Sequence, residues 1–211
     1  ILKGQPNTEV SLLIERNGET FTKKFNREKV TVKSVPYYGF LEDGIAYIKL
    51  RSFTRNCAND IKSALTDLKS QQELKGIVLD LRSNPGGLLN ESVDIVNIFV
   101  EKGEEIVTTK GKIKDWEKTY KARNTPEDIN TPLVVLINSN SASASEIVSG
   151  SIQDLDRGVI IGKRSFGKGL VQQTRKLPYN SQLKVTVAKY YIPSGRCIQA
   201  LDYSNRNEDG S

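Results

Sequence analysis

The sequence predicts an α/β fold. Two apolar runs, GIVLDLR (76–82) and PLVVLIN (132–138), each end in a turn-forming cluster, and a helical pattern follows each. That is the character of strands buried on both faces of a parallel sheet. Strand-like and helix-like segments also alternate along most of the 211 residues, with no internal repeat and no low-complexity tract. Such alternation is the signature of helices packed on a sheet.

Taken in order, VSLLIER and ETFTKKF flank Asn17-Gly18. Those two residues suit the positive φ angles of a two-residue hairpin turn. Pro36 interrupts the stretch that leads out of the hairpin, and GIAYIKL (44–50) is the next strand. Ile61, Ala64, Leu65 and Leu68 share one face of a helix over 59–69, with Asn59 as its cap. A strand follows at 76–82, the turn SNPGG at 83–87 and a helix at 88–100. EEIVTTKGK is a strand, whereas the polar stretch 115–130 has weak periodicity and is expected to be a surface loop. After the strand at 132–138, a serine-rich turn opens a helix that runs to about Leu155, and GVIIG (158–162) is a strand. KRSFGKG (163–169) is a glycine-bounded loop, LVQQTRKL and LKVTVAKYYI pair around PYNSQ, and the polar tail LDYSNRNEDGS is expected to fray.

Composition narrows the chemistry. The chain has no histidine. This excludes a Ser-His-Asp triad, a Cys-His pair, an HExxH metal site and any histidine base. The net charge is +6, but the basic residues are scattered and do not interleave with aromatics, so no nucleic-acid partner is expected. Cys57 and Cys197 lie 140 positions apart and form neither a zinc pattern nor a CxxC motif. No run approaches the roughly 18 to 20 apolar residues of a spanning helix. The chain contains no Met and opens without a secretory signal, so it is expected to be a piece of a longer precursor.

Three stretches have chemical potential. NSNSASASEIVSG (138–150) places five serines and a glutamate in thirteen positions after a buried strand. Ser143 with Glu146 fits a helix capping box, and Ser141 or Ser145 could cap as well. The same place suits a nucleophile, because helix N-terminal N–H groups favour a developing oxyanion. SNPGG is either a plain turn or a site where glycines bring N–H groups close to a substrate oxygen. SFGKGLVQQ (165–173) puts a lysine between glycines, which is usually a plain surface turn; the alternative is that the turn leads a strand with Lys168, Leu170 and Gln172 on one inward side. Without histidine, a desolvated lysine is the best base left for a serine. An ordinary lysine, with a pKa of about 10.4, is neutral near pH 7 in roughly one molecule in two thousand. Lowering that pKa by about 3 units costs roughly 4 kcal/mol, and Phe166 is a candidate for the dry wall that would do it.

GIAYIKLRSF, GIVLDLRSNPGG, PLVVLINSNSASASEIVSG and RSFGKGLVQ, in that order, resemble the carboxyl-terminal processing peptidases, or tail-specific proteases, from about Val35 to Gln199. The resemblance implies a crotonase-like α/β catalytic core over 31–211. It also implies that residues 1–30 are the closing part of a PDZ-like domain. The family's serine–lysine dyad falls on Ser143 and on Lys168, twenty-five positions later, and its lysine-orienting glutamine on Gln172. The implied oxyanion donors are the N–H of Ala144 and that of Gly86 or Gly87. The activity implied is endopeptidase cleavage of protein or peptide substrates near nonpolar C-termini, without a metal or organic cofactor. Family members are mostly extracytoplasmic, in the periplasm or cell envelope, and the oligomeric state is left open, a homo-oligomer included. By the same resemblance, the sequence is expected to open partway through the PDZ-like region, after its carboxylate-binding loop, and to stop where family members usually continue. The alternative is a non-catalytic peptide- or ligand-binding protein on the same fold.

Overall fold

The computed structural model describes residues 2–30, 32–42 and 44–201. The expected fraying of the tail falls on 202–211, outside the described residues. The chain divides into two units, Ile1–Lys33 and Ser34–Ser211. In the first, β1 (Glu9–Arg16) and β2 (Glu19–Asn26) form an antiparallel hairpin in which Arg16 faces Glu19. Asn17 at φ 54° and Gly18 at φ 82° supply the left-handed turn the sequence predicts.

The second unit runs β3 (Tyr37–Glu42), β4 (Ile45–Lys49), α1 (Cys57–Gln71), β5 (Gly76–Asp80), α2 (Leu89–Phe99), β6 (Glu105–Lys110) and β7 (Lys118–Lys121). It continues with β8 (Leu133–Ile137), α3 (Ala144–Asp154), β9 (Val159–Gly162), β10 (Leu170–Lys176) and β11 (Gln182–Tyr191). One sheet has the order β3-β4-β5-β8-β9, parallel except for the antiparallel edge strand β3. The other is antiparallel, in the order β10-β11-β6-β7.

The core lies between the parallel sheet and the helices. Ile48, Leu79 and Val135 stand on adjacent strands in register, and none is exposed. Ile61, Leu65 and Leu68 of α1, Ile95 and Phe99 of α2, and Ile147 and Val148 of α3 cover the sheet. Each such side chain contributes about 1.5–3 kcal/mol by leaving water.

Two sequence expectations are corrected here. The first helix begins at Cys57, before Asn59, and its N-cap is Asn56 in the left-handed region at φ 69° with no side-chain cap. Glu91 of α2 does the capping instead, accepting the Asn56 N–H at 2.7 Å and the Ala58 N–H at 3.0 Å. The stretch 115–130 is not all loop. It holds part of a 3-10 turn (Lys114–Trp116) and the whole of β7, which pairs with β6 through Val107 and Tyr120.

The parallel strands all point their carboxyl ends to one edge of the sheet. Chemistry in open α/β sheets gathers at that edge. Four loops leave it: 50–56 after β4, 81–88 after β5, 138–143 after β8 and 163–169 after β9.

Candidate active site

Ser143 immediately precedes α3 with φ 57° and ψ −111°. A side chain held at positive φ costs about 1–3 kcal/mol and persists only where its surroundings over-determine it. Here they do. Ser141 Oγ donates to the Leu81 carbonyl at 2.8 Å and accepts the Asn138 N–H at 2.9 Å. Ser145 Oγ donates to the Asn84 carbonyl at 2.9 Å, and the Ala142 N–H reaches the same oxygen at 3.1 Å. Ser141 and Ser145 are fully buried and fasten the serine turn to the glycine turn, rather than capping α3. Ser143 alone of the three is partly open to solvent.

Glu146 makes the capping-box pair with Ser143 and accepts its N–H on Oε2 at 2.7 Å. It also does something the capping pattern does not announce. Its Oε1 accepts the Gly167 N–H at 2.6 Å and its Oε2 the Lys168 N–H at 2.8 Å. One carboxylate, 5% exposed, therefore joins the serine turn to the lysine loop. The S-x-x-E spacing revealed the first half of this role. The second half comes from donors 21 and 22 positions away, and no local pattern signals it.

In the glycine turn, Gly86 lies at φ 96°. A Cβ there would fall 2.6 Å from the Ala142 carbonyl oxygen and 2.9 Å from Ser143 Cβ, so only glycine fits against the serine. The Gly86 N–H is already taken, donating at 2.9 Å to Oδ1 of the fully buried Asn84. The N–H groups of Gly87 and Ala144 have no acceptor among the described residues.

Around Lys168 the backbone is stitched tightly. The Phe166 N–H donates to Ser141 O at 3.0 Å, the Gly169 N–H to Gln199 Oε1 at 2.9 Å, and the Ala200 N–H to Gly167 O at 3.1 Å. The side chains behave otherwise, and the sequence expectation is corrected. Lys168 is exposed and precedes β10 rather than lying within it. Gln172 is exposed too, and a bulge between Val171 and Gln172 breaks the alternation that was to set it beside Lys168. Phe166 is 62% exposed and makes no dry wall. Lys168 has no ion-pair partner among the described residues.

Beneath the glycine turn, Asp80 accepts hydrogen bonds from Tyr47, Lys49 and Arg82. Burial raises its pKa, but the hydrogen bonds from Arg82, Tyr47 and Lys49 outweigh burial and hold it well below the usual carboxylate range. Among the described residues no cluster of three or more His, Cys, Asp or Glu side chains is arranged to hold a metal. Cys57 is buried and Cys197 exposed, both free.

Comparison with known proteins agrees on one family. The model of peptidase family S41 matches residues 44–203. A carboxy-terminal-processing protease of Bartonella bacilliformis is 41% identical over 205 residues, 95% of this chain and 46% of the relative. A probable CtpA-like serine protease of Staphylococcus aureus is 39% identical over 199 residues, 93% of this chain and 39% of the relative. Among solved structures, a photosystem II D1 C-terminal processing protease matches with a TM-score of 0.71 at 33% identity, over 93% of this chain and 54% of that one. The chain thus spans less than half the length of these two curated relatives. It belongs to peptidase family S41.

Proposed function

We propose that the chain is the catalytic core of a serine endopeptidase that cleaves protein substrates near nonpolar C-termini. Ser143 is the nucleophile and Lys168 the general base, with Gln172 accepting a hydrogen bond from the lysine amine to orient it. Neutral Lys168 takes the Ser143 proton as Oγ attacks the peptide carbonyl. The oxyanion forms between the N–H groups of Ala144 and Gly87, the two left without an acceptor; Gly86 N–H is spent on Asn84. The lysine ammonium then protonates the leaving amine, and water resolves the acyl-enzyme. The hairpin of the first unit is the end of a PDZ-like domain, the core is crotonase-like, and the protein works outside the cytoplasm. No described helix is long and apolar enough to cross a membrane.

The observation that carries this reading is Glu146, whose carboxylate binds the backbone N–H of both Ser143 and Lys168. The exposed lysine sets a condition on it. Removal of its amine from water must come from the substrate polypeptide, or from a further part of the protein, closing over the loop. The same exposure favours the second reading, a peptide-binding protein without turnover.

Ser143→Ala and Lys168→Ala, assayed on a peptide with a nonpolar C-terminus, separate the two readings. Each is expected to lower cleavage by roughly a thousandfold or more while the circular dichroism spectrum stays native. Turnover that survives Lys168→Ala would assign the base elsewhere. Peptide binding without turnover in the unaltered chain would establish the second reading.

A further inference from the structure

The carboxyl ends of β4, β5 and β8 enclose a hollow of about 450 Å³ that Ser143 itself does not line. Pro36, Lys49, Arg51, Arg82, Ser83 and Asn138 line it. Three of the six are cations and none is an anion. Among the described residues the one carboxylate that contacts this group is Asp80, its side chain 1% exposed. Lys49 Nζ lies 3.1 Å from it and Arg82 Nη2 2.7 Å. Asp80 also takes the Tyr47 hydroxyl at 2.6 Å, and its other oxygen takes the Arg82 N–H and Nε, at 2.8 and 3.0 Å. Its acceptor capacity is filled from within.

Lys49, Arg51 and Arg82 against Asp80 leave two positive charges in the hollow. Arg51 is exposed and has no ion-pair partner among the described residues. A concave site lined by one sign of charge focuses its field on whatever enters it. Guanidinium groups present paired donors that match a carboxylate in particular.

The hollow adjoins the glycine and serine turns. The Ser83 N–H donates to Asn138 Oδ1 at 2.8 Å, tying together two of the lining residues and the two turns that hold Gly87 and Ser143. Two residues beyond Arg51, the Phe53 N–H donates to Gly86 O at 3.1 Å and Phe53 O accepts the Leu88 N–H at 2.8 Å. The cationic surface and the turn that leads to Ser143 are thus joined directly, through Asn138.

We propose that the hollow is an anionic subsite, in which Arg51 and Arg82, with Lys49, bind a carboxylate of the polypeptide substrate a short way along the chain from the bond at Ser143. The carboxylate is either the free C-terminal group or an Asp or Glu side chain. The proposal rests on the peptidase reading for its substrate, but its charge preference is measurable without turnover.

Four peptides share one uncharged cleavage sequence: a free C-terminal carboxylate, the C-terminal amide, the amide with an interior Asp, and the amide with Asn in the same place. The unaltered chain is expected to cleave a carboxylate-bearing peptide with kcat/KM roughly tenfold above its neutral counterpart, the scale of one charge-assisted hydrogen-bonded pair. The difference should lie in KM and shrink as salt is added. Preference for the first peptide over the second identifies the terminal carboxylate; preference for the third over the fourth identifies a side chain. In Arg51→Gln the ratio is expected to fall toward one, and in Arg51→Glu to invert. Binding of the same peptides, fluorescently labelled, to the Ser143→Ala chain gives a second readout. If no peptide is cleaved, the peptidase reading fails, and the anisotropy ratios alone decide the subsite. Equal handling of charged and neutral peptides in both readouts, or a preference untouched by Arg51→Glu, overturns the subsite.

Discussion

The turn that presents Ser143 and the loop that presents Lys168 are built by opposite means. Around the serine, Ser141, Ala142, Ala144, Ser145 and Glu146 are all buried, and the side chains of Ser141 and Ser145 anchor to carbonyls of neighbouring turns. Around the lysine, Lys163, Arg164, Phe166 and Lys168 are exposed, and only the backbone is fastened. The position of Ser143, the proposed nucleophile, is therefore fixed by the core. Lys168, the proposed base, has a fastened backbone and an exposed side chain. Under the proposed function, such a division keeps the serine ready while the lysine amine is left for a substrate to cover.

This comparison is broken most severely at Gly86, on the rigid side. Gly86→Ala drives a methyl group into the Ala142 carbonyl and Ser143 Cβ at a backbone angle that L-residues avoid. The serine turn has no room to retreat, since Ser141 and Ser145 are fully buried. Steady-state kinetics of Gly86→Ala are expected to show kcat lowered by about a hundredfold or more, the scale of a displaced oxyanion site. A Gly86→Ala chain with full activity would mean the serine turn is as pliant as the lysine loop.

Glu146 lies where the two constructions meet, so its loss separates them. Glu146→Gln keeps the shape but turns an NH2 group toward at least one of the three backbone donors that now face a carboxylate oxygen. A buried donor facing a donor costs about 1–3 kcal/mol. Kinetics should show kcat reduced by about ten- to a hundredfold with KM little changed, since the loop's register shifts while the substrate surface remains. A fall in stability with kcat and KM both intact would make Glu146 a helix cap and nothing more.

What the sequence disclosed follows the same division. The serine turn was legible because it is local: an apolar run, a small-residue turn and an S-x-x-E spacing all lie within 132–150. β5 and β8 were legible because strands buried on both faces leave no polar alternation to confuse them. The lysine loop was read wrongly in its environment. Period-two reasoning took Lys168 and Gln172 as one inward face, but the strand starts at Leu170 and a bulge follows Val171. A bulge depends on the partner strand and leaves no trace in the residue order here. β7 was missed for a related reason, since its pairing with β6 spans a polar stretch in which only Tyr120 is partly buried. The start of α1 was misplaced because its cap comes from Glu91, more than thirty positions away.

The smallest expected effect concerns how the lysine side is fastened from behind. The segment that follows β11 reaches the loop through Gln199 and Ala200, and is itself tied to α3 by Asp154. Asp154 accepts the Ser194 N–H at 2.9 Å and pairs with the Arg196 guanidinium. Burial raises the Asp154 pKa, but the bonds from Ser194 and Arg196 outweigh it, so the folded value lies below the ordinary one. Unfolded, the group titrates near about 3.9. Between the folded and unfolded values the unfolded chain binds more protons, so this contribution is complete above about pH 4 and fades as pH falls through the folded value. Arg196 is 56% exposed, which places the pair at about 1 kcal/mol or less. Thermal unfolding should find Arg196→Gln lower in Tm by about 1–4 °C at pH 6, with the gap closing below pH 4. Because these bonds from the segment end on the backbone of Gly167 and Gly169, on either side of Lys168, the same substitution should change kcat by about twofold at most, far less than Glu146→Gln. A loss of kcat comparable to that of Glu146→Gln would show that the segment sets the lysine's position as firmly as the core sets the serine's.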